Sequence, residues 1–273
     1  MPATIEQVID FWNRRPCNIR HSNKPVGSAA WFEETEERKY FVEPHIPEFA
    51  DFKAWDSKSV LEIGCGIGID TANFVRAGAD VIVAVDLSEE SLRLTNSRLL
   101  AEDAPQRYLL ELSNAEELNW LPQTFDLIYA FGSIHHSPQP EKILRELRNY
   151  AEPATTLRIM VYNKISWKVL WILLKYGYGR FWKLDELVQK YSEAQTGCPI
   201  TYTYSRKSIT DLLRRTGWYV QSIKIDHIFP YSIPAYKQYR FKKVWYFRWM
   251  PKKLFRWLET HFGWHLLIEA ACR

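Results

Sequence analysis

The chain is poor in cysteine, glycine and methionine, and it has no long apolar run. Its four cysteines, Cys17, Cys65, Cys198 and Cys272, are scattered over 273 residues with no C-x-x-C pair. That pattern excludes a disulfide framework and offers no zinc-finger spacing, so no metal centre is expected. Reduced thiols in a cytoplasmic protein are the plain expectation. There is no basic-then-apolar leader pattern, and no apolar segment approaches the roughly 20 residues of a spanning helix. Glycine occupies only 11 positions, yet Gly64, Gly66 and Gly68 crowd into five residues.

Net charge is also small, +4 in all, but it is divided. Residues 1–160 carry 16 Lys and Arg against 25 Asp and Glu, a net of −9, whereas residues 161–273 carry 20 against 7, a net of +13. An acidic first half and a basic, aromatic second half imply that the second half meets something anionic.

Around the three glycines the pattern is strand, turn, helix, strand. Val60 to Ile63 is a short apolar run, and Ile69 to Arg76 has helical spacing. Val81 to Val85 is a second β-branched run, ending at Asp86. This is one βαβ unit. A glycine turn lets a ligand approach the backbone closely, and an acid at the end of the second strand can accept hydrogen bonds from a ribose diol. The spacing is G-x-G-x-G, not the G-x-G-x-x-G that meets a pyrophosphate. Glu62 lies two residues before the first glycine; a carboxylate there repels a pyrophosphate and receives an ammonium. The ligand indicated carries an ammonium and a ribose diol but no phosphate, as S-adenosylmethionine does.

Glu62, the glycines and Asp86 in this context resemble the first motif and acidic strand end of the class I S-adenosylmethionine-dependent methyltransferases. The resemblance covers residues 55–162 well and continues in outline through 205–226 and 265–271. It implies an α/β fold, a Rossmann-like doubly wound sheet of seven strands with the last strand antiparallel. It implies a cofactor site made of Glu62, Gly64, Cys65, Gly66, Gly68, Asp86, Leu87, Asn114, Ala115, Glu116 and Phe131. Asn114 stands where relatives often have an acid; its amide can still accept from the adenine amine. Phe131 to His136 is similar to an F-x-x-x-H-H stretch of small-molecule methyltransferases. There His136 can act as base or orienting donor, with His135 beside the substrate.

The flanks lie outside the resemblance. Residues 1–50 read as a helical lid, with Arg14, Arg15, Arg20 and His21 as candidate ligands for a substrate anion and Tyr40 reaching the cofactor's carboxylate end. Residues 163–204 and 230–264 read as cap insertions of a domain spanning 51–273. The first holds apolar helices over Ser166 to Trp182 and Leu184 to Ser192, then a turn at Gln195 to Gly197. Tyr162, Tyr202, Tyr204 and Arg206 are its acceptor-site candidates, Tyr162 and Tyr204 with catalytic roles. In the second insertion Lys237, Arg240, Lys242, Lys243, Arg248, Lys252, Lys253 and Arg256 alternate with aromatic residues. Such interleaving suits packing or a homodimer contact, or a peripheral membrane contact through 236–258; no RNA-binding appendage is recognisable.

The expected function is methyl transfer from S-adenosylmethionine to a small, anionic acceptor. Two rivals remain: an acceptor-free cyclisation or elimination that releases methylthioadenosine, and a membrane- or RNA-associated methyltransferase or binding module.

Overall fold

The βαβ unit sits at the centre of a mixed sheet. In the computed structural model, which describes residues 3–105, 107–118, 120, 123–192 and 198–272, the strands are β1 (Ser59–Ile63), β2 (Val81–Asp86), β3 (Tyr108–Leu112), β4 (Leu127–Phe131), β5 (Thr156–Asn163), β6 (Thr203–Tyr204), β7 (Trp218–Asp226) and β8 (His265–Cys272). Their order is β3-β2-β1-β4-β5-β8-β7, with β6 paired to β5 off this path. The pairs β3-β2-β1-β4-β5 are parallel, and β8 runs antiparallel between β5 and β7. The expected architecture is therefore present, with one addition. Thr203 and Tyr204 pair with Tyr162 and Asn163 as a two-residue strand, too short to leave an alternation in the sequence.

The central strands form because their side chains are buried on both faces. Successive residues point to opposite sides of a strand. Leu61, Ile63, Val83, Val85, Ile128 and Ala130 enter one core, while Val60, Ile82, Ala84, Leu127 and Tyr129 enter the other. A continuous apolar run with both faces covered is what a parallel sheet requires.

Helices α1 (Ile5–Arg14), α2 (Ala29–Val42) and α3 (His45–Ala50) precede the sheet. Glu43 caps the end of α2, and Pro44 then caps the start of α3. Helices α4 (Ile69–Arg76), α5 (Glu89–Ala101) and α6 (Pro140–Glu146) connect the parallel strands. Between β5 and β6 lie α7 (Trp167–Gly177) and α8 (Leu184–Tyr191). Helix α7 stops earlier than the apolar run because Tyr178 takes a left-handed conformation, φ 48°. The Gln195 to Gly197 turn lies outside the described residues. Helix α9 (Arg206–Arg215) begins with a capping box in which Ser205 accepts from the Ser208 amide. Helices α10 (Ile233–Tyr236), α11 (Trp245–Arg248) and α12 (Lys252–Phe262) fill the segment between β7 and β8.

Strand order reverses between β1 and β4, the place where an open α/β sheet binds ligands beyond its strand ends. Ile63 and Gly64 at the end of β1 and Phe131 and Gly132 at the end of β4 line a cleft there, of about 1300 Å³ including its open mouth.

Candidate active site

The glycine turn forms the floor. Gly66 has φ 59°, a left-handed backbone that glycine adopts without cost. A Cβ on it would meet only Cys17 Cβ, at 3.9 Å, so its backbone faces open space. Gly68 differs. It is left-handed too, but its added Cβ would lie 2.7 Å from Thr95 Cγ2, and it is not on the cleft wall. Gly68 lets α4 start against α5, whereas Gly66 lets a ligand come close.

Asp86 stands beside this floor with both oxygens held. The amides of Gly66 and Ser88 donate to its two carboxylate oxygens, each at 2.9 Å. Burial pushes its pKa up to about 6, against these amide bonds. Leu87, Asn114 and Ala115 continue the wall. The Asn114 side-chain Oδ1 accepts from the Glu116 amide at 3.0 Å, which closes the turn after β3. Glu116 is off the wall; its carboxylate accepts from Ser137 Oγ and the Gln139 amide and so anchors the stretch after β4.

At the other side of the floor is a buried charged group. Glu62 accepts from Thr71 Oγ1 at 2.6 Å. Burial, with repulsion from Asp70, pushes it up to about 8. Asp70 accepts from Lys39 Nζ at 2.6 Å, Tyr40 Oη at 2.9 Å and Tyr129 Oη at 3.0 Å. Burial opposes the Lys39 charge, but Asp70 overrides it and the pKa is raised. Lys39, not Tyr40, lines the cleft; Tyr40 buttresses Asp70 from behind and accepts from Asn73. Lys39 and Asp70 escaped the sequence reading. Their signals were a lysine one residue from the tyrosine singled out and an acid in a first helical turn, both ordinary on a surface helix.

The far end is aromatic and imidazole-rich. Trp12, Phe131, His136, Met160, Tyr162, Glu43 and His265 line it. His136 Nδ1 lies 2.8 Å from the Ile200 carbonyl. A carbonyl only accepts, so Nδ1 carries the proton and Nε2 is the basic nitrogen. The Tyr162 ring is 5.8 Å from His136 and is stacked 4.1 Å from Trp264. His265 Nδ1 meets His45 Nε2 at 2.9 Å, and His265 Nε2 lies 3.6 Å from Glu43 Oε1. Burial holds His45 down to about 4 and His265 well below its ordinary value, so both rings are neutral. Glu43, His45 and His265 each offer one donor atom within 4.8 Å of the others, the arrangement among the described residues that could hold a metal ion. The spacing of cysteines and histidines in the sequence pointed to none.

The expected anion ligands are elsewhere. Arg14 pairs with Asp10 on the exposed side of α1. Arg15 is off the wall, and Arg20 offers its carbonyl to Tyr239. His21 meets Tyr236 Oη at 3.1 Å, tying the loop after α1 to α10. Arg206 is exposed at the start of α9. Tyr204 packs against the core beneath the sheet, Tyr202 is 40% exposed, and His135 is wholly buried 3.9 Å behind Tyr162. None of these eight residues lines the cleft, whose acidic and basic side chains are Glu43, Glu62, Asp70, Asp86 and Lys39. A wall with four carboxylates and one engaged lysine does not favour an anionic acceptor.

A mostly parallel sheet in this strand order with its last strand antiparallel, a glycine floor and an acid at each side are the features of the class I S-adenosylmethionine-dependent methyltransferases. The chain belongs to that family: the family model described as a methyltransferase domain matches residues 35–223. It is 27% identical over 100 residues to 27-O-demethylrifamycin SV methyltransferase of Amycolatopsis mediterranei, covering 37% of each chain. It is 28% identical over 122 residues to a ubiquinone biosynthesis O-methyltransferase of Photorhabdus laumondii, covering 44% of this chain and 48% of that one. The chain thus matches less than half the length of these curated relatives. Among solved structures, the magnesium protoporphyrin IX methyltransferase of Synechocystis, with bound S-adenosylhomocysteine, has the same fold. Its TM-score is 0.59 at 13% identity, over 98% of this chain and 100% of that one. The cyclase SpnF also shares the fold, with a TM-score of 0.61 at 15% identity over 100% and 97% of the two chains.

The residues present fit the family's cofactor, S-adenosylmethionine. The open backbone at Gly66 accommodates close approach, Asp86 presents a carboxylate for a diol, and Glu62 and Lys39 offer an ionisable carboxyl group and an ammonium to an amino-acid end.

Proposed function

We propose that the protein transfers a methyl group from S-adenosylmethionine to an oxygen or nitrogen of a small, largely apolar acceptor bound at the aromatic end of the cleft. The observation that carries this reading is the Glu43–His265–His45 chain. It opens on the cleft beside Phe131, whose ring is 5.8 Å from that of His265, at the end away from Asp86 and Asn114. When bound, the cofactor supplies an electrophilic methyl carbon on a sulfonium. The protein's own residues hold the acceptor in line with it, exclude water and take up the acceptor's proton. Trp12, Tyr162 and Met160 provide apolar walls for the acceptor. Neutral His265 accepts the proton, and Glu43 and His45 stabilise the imidazolium that results. His136, with its basic Nε2, is a second candidate, its ring 5.8 Å from that of Tyr162.

An acceptor-dependent reaction is supported by the curated relatives, which are named for methyl transfer. The acceptor-free alternative is separated by one incubation. Protein with S-adenosylmethionine alone should release no methylthioadenosine, and S-adenosylhomocysteine should form only when a hydroxylated or amino acceptor is added. Methylthioadenosine without acceptor would replace methyl transfer with cyclisation or elimination.

A further inference from the structure

The basic, aromatic second half leaves large apolar side chains in solvent. Trp245 and Trp249 are 76% and 79% exposed, Leu174 on α7 is 62% exposed and Trp257 on α12 is 49% exposed. Ring contacts join the three helices that carry or adjoin them. Trp167 of α7 contacts the rings of Tyr246 and Phe247 of α11, at 5.9 and 5.8 Å, and Phe247 contacts Phe255 of α12 at 5.3 Å. The packing expected of this segment is thus supplied by Phe247 and Phe255, and the tryptophans beside them are left over. An exposed apolar face this broad marks an interaction surface.

Its charge indicates the partner. Residues 230–264 hold eight Lys and Arg and one acid, Glu259, which is paired with Arg256. Cations lie over the rings of the same face: Lys175 Nζ is 4.5 Å from the Trp171 ring, Lys243 Nζ is 5.7 Å from Phe255, and the Arg248 guanidinium is 5.7 Å from Trp249. Indoles at the headgroup level with lysines and arginines beside them suit an anionic bilayer surface. A second copy presents the same positive face, and two such faces repel in a symmetric dimer. No helix among the described residues is long and apolar enough to cross a membrane, so the contact is with the surface.

We propose that α7, α11 and α12 dock the protein on an anionic lipid surface and thereby bring the acceptor end of the cleft to the bilayer. The link is short. Val169, on the inner side of α7, packs with Tyr162 and Trp264, Lys168 Nζ lies 4.5 Å over Trp264, and Tyr162 lines the cleft. One layer of side chains separates the lipid face from the acceptor. The docking itself stands on the surface alone; the delivery of a lipid-borne acceptor rests on the methyl-transfer reading above.

Co-sedimentation of the full chain with vesicles tests the docking without any turnover. Binding to phosphatidylglycerol vesicles is expected, with weak binding to phosphatidylcholine vesicles, loss at high salt and a blue shift of tryptophan emission. The double variant Trp245→Ser/Trp249→Ser should bind vesicles about tenfold more weakly or worse while keeping wild-type affinity for S-adenosylmethionine, which also shows that it is folded. The charge variant Lys242→Glu/Lys243→Glu should lose the preference for phosphatidylglycerol. No co-sedimentation, or vesicle binding unchanged in both variants, overturns the proposal. A dimer in sedimentation velocity that the tryptophan variant dissolves, or tight oligonucleotide binding that it abolishes, overturns it in favour of a second copy or a nucleic acid.

Discussion

His265 Nδ1 lies 2.9 Å from His45 Nε2, across 220 residues of sequence, and its other nitrogen lies 3.6 Å from the Glu43 carboxylate on the cleft wall. A neutral imidazole between a carboxylate and a second neutral imidazole can accept a proton and share the resulting charge. His265→Ala should therefore lower kcat on the order of 10²–10⁴-fold with little change in S-adenosylmethionine affinity. A structural role would instead lower melting temperature and cofactor affinity together. His45→Gln, which keeps a hydrogen-bonding group, should lose less activity and shift the pH profile. A divalent cation held by the trio makes a different prediction for the same protein: activity lost on treatment with chelator and restored by added metal.

The diol contact proposed for Asp86 falls on a carboxylate that already binds protein. Its oxygens already accept from the Gly66 and Ser88 amides, so the carboxylate is fixed before a diol arrives. Asp86→Ala removes charge-assisted bonds worth about 1.5–3 kcal/mol each, and cofactor affinity should fall by about 10- to 100-fold or more in calorimetry. Gly66→Arg should abolish binding by filling the floor. Unchanged affinity in either variant would remove the cofactor assignment.

Glu62 and Asp86 were legible in the sequence because strand, turn and strand fix their positions locally. Lys39 was not. Helix α2 buries Trp31, Thr35, Arg38, Lys39 and Val42, so no single polar face marks which of Lys39 and Tyr40 turns inward, and one residue of helix is a rotation of about 100°. Glu116 matched a family pattern, but its carboxylate is spent on Ser137 and Gln139. His45 and His265 meet only because β8 inserts beside β5, which no local pattern announces. The two strands of the βαβ unit followed from apolar runs, and the seven-stranded sheet was what the family resemblance implied; the N-terminal segment and the insertions did not reveal which arginines face solvent, since alternating charge and aromatics fit an interior wall and an outer face equally well.

Gly68 gives a test of the floor that does not touch the ligand. Its φ of 73° is left-handed, and a methyl group would lie 2.7 Å from Thr95 Cγ2 and 3.0 Å from Thr95 Cα. Gly68→Ala should lower stability by about 1–3 kcal/mol, measured by denaturant unfolding. Thr95→Ser removes the methyl in contact but leaves the left-handed strain, so the pair Gly68→Ala/Thr95→Ser should recover part of the loss and no more. Full recovery would mean that backbone strain contributes nothing.

Glu62 couples cofactor binding to pH. Burial, then repulsion from Asp70, pushes it up to about 8, so near pH 7 the cofactor-free protein keeps a proton there. An ammonium arriving beside it favours the carboxylate, and the proton must leave. Cofactor affinity should climb as pH rises from about 6 to 8 and level off above. Calorimetry at pH 7 in buffers of different ionisation enthalpy should detect a released proton, absent in Glu62→Gln. Stability moves the opposite way. The folded-state pKa lies above the ordinary glutamate value of about 4.5, so the folded chain holds more protons between those limits. The stabilisation is complete below about 4.5 and is lost as pH rises through about 8. Asp86, pushed up to about 6, adds the same sign over a lower window. The cofactor-free wild type should therefore lose more melting temperature between about pH 6 and pH 8.5 than Glu62→Gln does, and S-adenosylmethionine should narrow that difference. Parallel pH dependence in the two proteins would show that Glu62 is already ionised and that the ammonium meets a preformed charge.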